Sequence, residues 1–457
     1  MAQVILSINA GSSSVKISVY KTHDHGQDPT QLAETQVAGL TAPPSTFSYM
    51  RGSRRIKGQK LETRITSQDE AFRFLLDRLV EDEGLDDIGT RRDITVACHR
   101  IVHGGDYADA QVIDSDTYHH LEELTDLAPL HNASALAIIR SCMQELPSTR
   151  NLAFFDSAFH QTIPDYVRTY AIDPATAQKN KLRKYGFHGI SYAFILRSAA
   201  HFLGQKEEDT SIIALHLGSG ASACAIRQGK SLDTSMGLTP LAGLPGATRS
   251  GDVDPSLVFH FTHDAGKLSP SSTKEMHIST AEEILNKQSG WKALTGTTDF
   301  GKIASSDDAS CRLTVDIFVD RIVGFIGSYF VKLDGKVDAL VFAGGIGEKS
   351  ALVRGKVMAK CRSLGFELDA HNNDAPADEV VADIGHVGAA RRSLVCQTDE
   401  QAVIVAESEE NVEEGVYGEG DAGDEGEETV GALASSFCGI GRARDGVGHE
   451  GFMAADG

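Results

Sequence analysis

The chain has 457 residues, 41% of them apolar and 23% charged, close to the average for globular proteins. That length can bury a large core without disulfides or metals as staples, so collagen, a coiled coil and a wholly disordered chain are excluded. The formal net charge is −21, but 14 acidic residues and two arginines fall in 407–457, a net of −12 that leaves −9 on the other 406 residues.

The body therefore lacks the basic stripe of a nucleic-acid-binding protein. Its longest apolar runs, such as AVIVA from Ala402, fall far short of the roughly 20 residues of a membrane span. Seven cysteines without a C-x-x-C pattern indicate neither a disulfide framework nor a zinc ribbon. The N-terminus has no basic leader segment and runs straight into a strand pattern. Together these point to a reducing, cytoplasmic setting.

In chain order, VILSIN, the small-residue turn AGSSS and VKISVY read as a β-hairpin. Arg51, Arg54, Arg55, Lys57, Lys60 and Arg64 form a local basic run, read as a solvated hairpin face rather than a phosphate track. The stretch from Ser67 to Val80 has helical apolar spacing behind an acidic first turn. ITVACHRIVHGG and NLAFFDSAF read as buried strands, and YAFILRSAAHFLG as a helix closed by Gly204. SIIALHL, GSGAS and ACAIRQGK then repeat the opening pattern about 210 residues later, which suggests two similar domains. LTVDIFVDRIVGFIGSYFVKL is a long helix, VDALVFAGGIG a strand entering a Gly turn, and VRGKVMAKCRSLG another helix. QAVIVAE is a last strand or short helix that returns to the first domain. Strands alternating with helices make an α/β body, and the acidic, Gly-rich segment from Glu407 onward reads as a disordered, solubilising tail.

Several turns suit phosphate. In NAGSSSVK the small residues admit an anion to the backbone, Ser12, Ser13 and Ser14 offer hydroxyls, and Lys16 supplies charge. The run from Gly218 matches G-x-G-x-x-A, but a strand follows it rather than a helix, so the dinucleotide reading fails. AGGIGEKS carries Glu348 where a P-loop needs glycine before its lysine. Polar residues at probable strand ends form a second set. These are Arg100 beside the pair Gly104–Gly105, Asp156 directly after an apolar strand, His188 between glycines, and Arg249 in a Gly/Asp loop. Two arginines, a carboxylate, a histidine and phosphate-type turns suit phosphoryl transfer, which needs charge neutralisation and alignment more than covalent chemistry.

NAGSSSVK, HRIVHGG, PLHNASAL, FFDSAFH, YGFHGISY, TRSGDVDP and FAGGIGEKS, in that order over roughly residues 3–406, resemble the acetate kinase family of the acetate and sugar kinase, heat-shock chaperone and actin superfamily. The resemblance implies two duplicated ribonuclease H-like domains, each a mixed five-stranded sheet with helices, around a central cleft. Residues 1–156 with 397–406 would form one domain, 157–396 the nucleotide-binding one, and 407–457 the tail. It also implies a homodimer, Mg2+ (or Mn2+) dependence, and reversible phosphoryl transfer between ATP and acetate, giving acetyl phosphate and ADP.

By position, the resemblance makes Arg100, Asp156, His188 and Arg249 catalytic, and Arg100, Val102, Leu130, Phe187 and Pro240 the acetate-binding set. Ser12, Ser14, Lys16, His216, Gly218, Ser219, Gly220, Asp299, Phe300, Gly344, Gly345, Ile346, Gly347 and Lys349 would meet nucleotide or phosphate. Asn9 and Glu400 would hold metal, and His131 would flank the cleft. The sequence departs from the family pattern at Ser219, Gly301 and Lys349 on the nucleotide side, and at Ala242 and Tyr192. These departures leave pyrophosphate or another nucleotide open as donor. A propionate or butyrate kinase is the neighbouring enzyme reading, and a non-catalytic nucleotide switch the reading from another class.

Overall fold

The computed structural model describes residues 3–11, 13–23, 29–41, 44–125, 129–261, 264–272 and 278–413; of these, nothing is said of the side chains of 129–131 and 409–413. Residues 1–416 make one compact unit, built on two sheets.

The first sheet comprises β1 (Val4–Ala10), β2 (Ser14–Lys21), β3 (Thr30–Ala38), β4 (Thr46–Arg51), β5 (Arg54–Lys60), β6 (Ile94–Ile101), β7 (Gln111–Val112) and β8 (Arg150–Phe155). Its order is β5-β4-β3-β2-β1-β6-β8-β7. The second comprises β9 (Ile212–Leu217), β10 (Ala221–Arg227), β11 (Lys230–Thr234), β12 (Ala339–Ala343), β13 (Val381–Asp383) and β14 (Arg392–Cys396), ordered β11-β10-β9-β12-β14-β13.

The internal repeat has a structural counterpart. In each sheet an antiparallel hairpin (β1–β2, β9–β10) is followed by two parallel neighbours, β6 and β8 or β12 and β14. The expected five strands are thus contiguous within each sheet, β3-β2-β1-β6-β8 in the first and β11-β10-β9-β12-β14 in the second. The totals are eight and six because β4–β5, β7 and β13 pair onto free edges, where exposed N–H and C=O groups accept further strands.

The strands alternate as expected: in β2, Val15, Ile17 and Val19 are buried against Phe72, Leu75 and Leu76 of the helix Gln68–Val80. That helix starts at a Ser67–Glu70 capping box, which satisfies otherwise orphaned N–H groups. In the second sheet, Leu215 and Phe342 pack on Phe318 and Ile322 of the 24-residue helix Ala309–Lys332. Gly204 ends the helix Gly189–Leu203 at φ 67°, a conformation glycine takes without strain.

Two local readings change and a third is qualified. Strand β12 enters a short helix, Gly344–Lys349, rather than a turn. Gly344 at φ 72° switches the direction against the Leu217 backbone, closer than a Cβ allows. QAVIVAE is helical within Glu400–Glu413, so residues 407–413 of the segment expected to be disordered are helical instead. Val403, Ile404 and Val405 are buried against Ile5 and Val96, and helix formation propagates beyond such an anchor. The remainder of the expected tail, 414–457, lies outside the described residues. Finally, Arg51 and Arg54 of the basic run both bind the buried Asp82 at 2.8 Å, while most of β5 is exposed. Among the described residues no helix is long and apolar enough to cross a membrane.

Candidate active site

Parallel strands deliver side chains to one end of a sheet, and open α/β sheets bind ligands outside the carboxyl ends of their strands. Here Arg100 comes from the end of β6, Asp156 follows β8, His216 closes β9, and Gly344 follows β12. The half-buried Arg100 forms a bidentate pair with Asp156, Nε to Oδ1 at 2.9 Å and Nη2 to Oδ2 at 2.8 Å. Its Nη1 reaches Glu400 Oε2 at 3.2 Å. One guanidinium therefore ties the end of the first sheet to the start of the C-terminal helix. Gln401 sets Glu400 beside β1, accepting from Ser18 at 2.5 Å and donating to the Ser7 carbonyl at 3.4 Å.

Asp156 is 1% exposed, and its backbone is held by Ile101 and Gly189. Burial pushes its carboxyl above the ordinary carboxylate value against the pull of Arg100. Glu400 is desolvated too, but Arg100 and His216 hold its carboxyl below the usual value. Arg100, though desolvated, is held firmly protonated by the two carboxylates.

His188 sits at φ 61° as the residue preceding the helix Gly189–Leu203. A non-glycine residue in that region is strained, and its ring lies against that of His216, with centroids 4.2 Å apart. Burial, then the charges of His216, Arg100 and Arg249, depress its pKa well below the ordinary value, so the imidazole is neutral. His216 is depressed as well, mainly by burial, and its Nδ1 lies 2.8 Å from Ser191 Oγ.

Arg249 approaches the same point from the loop after Gly246. Its guanidinium has no hydrogen-bonded or ion-paired side chain among the described residues, and desolvation alone lowers its pKa to about 10. The Gly218–Gly220 turn, closed by a 3.0 Å bond, leaves room for it: a Cβ at Gly220 would overlap Arg249 Nη2 and stand 3.5 Å from His188 Nε2. A guanidinium without a side-chain partner among the described residues, beside a neutral imidazole, suits an anion with several oxygens.

Arg100, Asp156, His188, His216, Arg249, Gly218, Gly220 and Glu400 thus share one connected site, and the Lys16 charge reaches Glu400. Lys16 itself pairs with Glu34 at 2.8 Å, and Asn9 lies opposite it in the β1–β2 ladder. Ser14 closes the turn by accepting from Gly11 at 2.8 Å. Val102 packs against Phe187 in a small apolar cluster with Tyr185 and Met236, and Pro240 is buried. Ser219, Gly345 and Lys349 are exposed, Ile346 is half-buried and Gly347 buried.

Asp299 and Phe300 are occupied structurally. Asp299 caps the helix Phe300–Ala304 through the Lys302 N–H at 3.2 Å. Phe300 is 7% exposed and packs on Trp291 and Phe318. Ser12 and the side chains of Leu130 and His131 lie outside what is described.

The motifs did not single out three supporting residues. Asn132 clips the loop after β6 by exchanging bonds with the His103 backbone at 3.0 and 2.9 Å. His160 holds the Phe187 carbonyl at 3.0 Å, and Ser222 bonds His188 Nδ1 at 2.8 Å. Ser222 had a signal: a polar residue inside the apolar strand ASACAI.

The comparisons with known proteins agree with this geometry. Residues 4–406 match the model of the acetokinase family. A probable acetate kinase of Emericella nidulans is 60% identical over 403 residues, covering 87% of this chain and 95% of that protein. An acetate kinase of Clostridium acetobutylicum is 38% identical, covering 89% and 98%. Among solved structures, a Porphyromonas gingivalis acetate kinase has a TM-score of 0.76 at 31% identity, covering 90% and 100%. A Francisella tularensis propionate kinase has the same TM-score at 34% identity, covering 89% and 98%.

Proposed function

This chain belongs to the acetokinase family and is a phosphotransferase with a carboxyl group as acceptor; from that premise we propose that it moves the γ-phosphoryl of ATP reversibly to acetate, giving acetyl phosphate and ADP. The observation that carries the reading is the Arg249 guanidinium, without a carboxylate partner among the described residues, beside the neutral His188.

A carboxylate attacking a terminal phosphate brings two anions together, so positive charge must be fixed in place before they meet. Arg249 supplies it on the phosphoryl side. Arg100, oriented by Asp156 and Glu400, supplies it on the acetate side. His188 donates a hydrogen bond to an equatorial oxygen without adding charge. Val102, Phe187 and Pro240 wall the acyl methyl, and the Gly218–Gly220 turn and the short helix Gly344–Lys349 would face the donor's phosphates. In-line transfer then needs no covalent intermediate on the protein.

Among the described residues no three His, Cys, Asp or Glu side chains converge as a metal cage. The donor set suits Mg2+ nonetheless, because that ion takes one or two carboxylates and completes its shell with phosphate and water. Glu400 gives one oxygen to Arg100 and leaves the other without a partner among the described residues. Glu400 and Asn9 would hold Mg2+, or Mn2+ with the same ligands. When bound, the cation neutralises the phosphate oxygens.

The six described cysteines are free and buried, which supports a reducing, cytoplasmic setting. A homodimer is proposed with it, to be checked by sedimentation. The similarity to a propionate kinase favours one second reading, a longer acyl acceptor. Acyl phosphate trapped as hydroxamate, measured with acetate, propionate and butyrate against ATP, GTP and pyrophosphate, tests all of this. ATP with acetate should give the highest kcat/KM, and indifference to ATP would refute the donor assignment.

A further inference from the structure

We infer that the corner around Gly290 positions Arg249: because Gly290 carries no side chain, the start of the helix Gly290–Thr295 lies directly on the strap Gly243–Asp252 and fixes where the guanidinium stands. The consequence for turnover rests on the phosphotransferase reading, whereas the placement of the strap rests on contacts alone.

The strap is closed at its base, where the Gly243 N–H donates to Asp252 Oδ1 at 2.8 Å and the Asp252 N–H to the Gly243 carbonyl at 2.9 Å. Its middle is held from two sides. On one side the Ala247 N–H donates to the Ser219 carbonyl at 2.8 Å, which fastens the strap to the turn that leaves room for the guanidinium. On the other, the N–H groups of Ser289, Trp291 and Lys292 donate to the carbonyls of Thr248, Gly246 and Ala247 at 3.1, 3.1 and 3.0 Å. The first N–H groups of a helix have no partner within it, and Ser289 offers this helix no side-chain cap. The three carbonyls just before Arg249 take that place. Thr248 Oγ1 and the Ser250 N–H add bonds to the Asn286 and Leu285 carbonyls at 2.7 and 3.0 Å.

Gly290 sits at φ 64°, in the left-handed region that glycine enters without strain. A Cβ there would overlap the Gly246 carbonyl oxygen and stand 2.8 and 3.0 Å from the carbonyl oxygen and nitrogen of Arg249. All three are backbone atoms, so no side-chain rotation relieves the overlap. The helix is the harder side to move. Trp291 is 2% exposed, its ring packs on Phe300 and Phe318, and its indole N–H donates to the Thr298 carbonyl at 3.2 Å. Across the strap the turn is equally close: a Cβ on Gly246 would stand 2.6 Å from the Ser219 carbonyl oxygen. A side chain at 290 therefore shifts the Arg249 backbone, and with it the guanidinium beside Gly220.

Gly296→Ala is the control, because Gly296 ends the same helix at φ 78° with nothing within 4 Å of its Cβ position. It carries the same kind of backbone strain and leaves the strap alone. Hydrogen–deuterium exchange on the full chain without substrate reads the strap itself. The Gly246 and Ala247 amides, bonded to the Arg249 and Ser219 carbonyls, should exchange at least about tenfold faster in Gly290→Ala and at the wild-type rate in Gly296→Ala. In acyl phosphate formation Gly290→Ala should lower kcat at least about tenfold with the acetate KM within about twofold, because a transition-state donor moves while Arg100 stays. Gly296→Ala should keep both constants. In an Arg249→Ala background Gly290→Ala should remove little more, since a residue that acts through another is not additive with it. Wild-type strap exchange in folded Gly290→Ala, equal losses from the two glycine variants, or additive losses overturn the proposal. Should Gly290→Ala not fold, Thr248→Val, which removes the bond to Asn286 and adds no clash, must show both the faster exchange and the lower kcat, or the proposal fails. A wild-type protein that shows the exchange contrast but makes no acyl phosphate would refute the phosphotransfer reading and leave the strap's placement standing.

Discussion

The guanidinium of Arg249 occupies the volume that a side chain at position 220 would need. Gly220 is therefore a space for an arginine, and the turn it belongs to acts on the site by what it lacks. Gly220→Ala must displace the guanidinium. We expect at least a hundredfold loss of kcat, in line with the removal of one transition-state donor, and a melting temperature within a few degrees of the wild type. Near-normal turnover would show that Arg249 does not act from this position.

The two arginines should part company on stability. Arg100→Ala leaves Asp156 buried without its partner, a change that costs about 3–5 kcal/mol. Arg249 has no carboxylate partner among the described residues and is desolvated, so Arg249→Ala should leave stability unchanged or raise it. Both should lose at least about 10²–10³ in kcat. Urea unfolding beside steady-state kinetics separates them, and equal destabilisation by both would contradict the pairing described.

The fold should be acid-labile before its carboxylates titrate. His99, His103 and His160 are buried, and burial lowers each to about 4. Unfolded, each binds a proton near pH 6.5, so the unfolded state gains protons first and stability falls as pH drops from 6.5 towards 4. Each group contributes about 2 kcal/mol of loss by pH 5 at 1.36 kcal/mol per pH unit. Three together approach the stability of a domain. Denaturant unfolding at pH 7, 6 and 5 should show this steep decline; a flat profile would disprove it.

Acyl chain length should respond to Val102. The side chain follows Arg100 by two positions and packs with Phe187, so Val102→Ala opens the wall beside the acceptor's carboxylate. One or two methylenes are worth about 1–3 kcal/mol. We expect kcat/KM for propionate relative to acetate to rise about tenfold, read from the hydroxamate series, and an unchanged ratio would remove Val102 from the wall.

Much of this protein is legible in its sequence, for physical reasons. The hairpins β1–β2 and β9–β10 are local: alternation with period two and a small-residue turn specify them within about 20 residues. The strand-end position of Arg100 and Asp156 followed from an apolar run stopping at a polar residue. The edge strands β7 and β13 were not legible in this way, because pairing onto an open sheet edge depends on the partner backbone more than on side-chain pattern. Nor was the fate of Phe300, whose motif suits a ligand contact but whose ring completes a core with Trp291 and Phe318.

By itself, then, the order of residues determined the duplicated strand pattern and the kinds of chemical group present: guanidinium, imidazole, carboxylate and phosphate-type turns. Only the tertiary structure decided which of them meet. Arg100 and Glu400 are 300 residues apart in the chain, yet their side chains lie 3.2 Å apart; among the described residues Arg249 has no carboxylate partner while Arg100 has two. Charge pairing and desolvation depend on distances of a few ångströms between remote segments, and those distances are set by how the two sheets pack rather than by any local run of sequence.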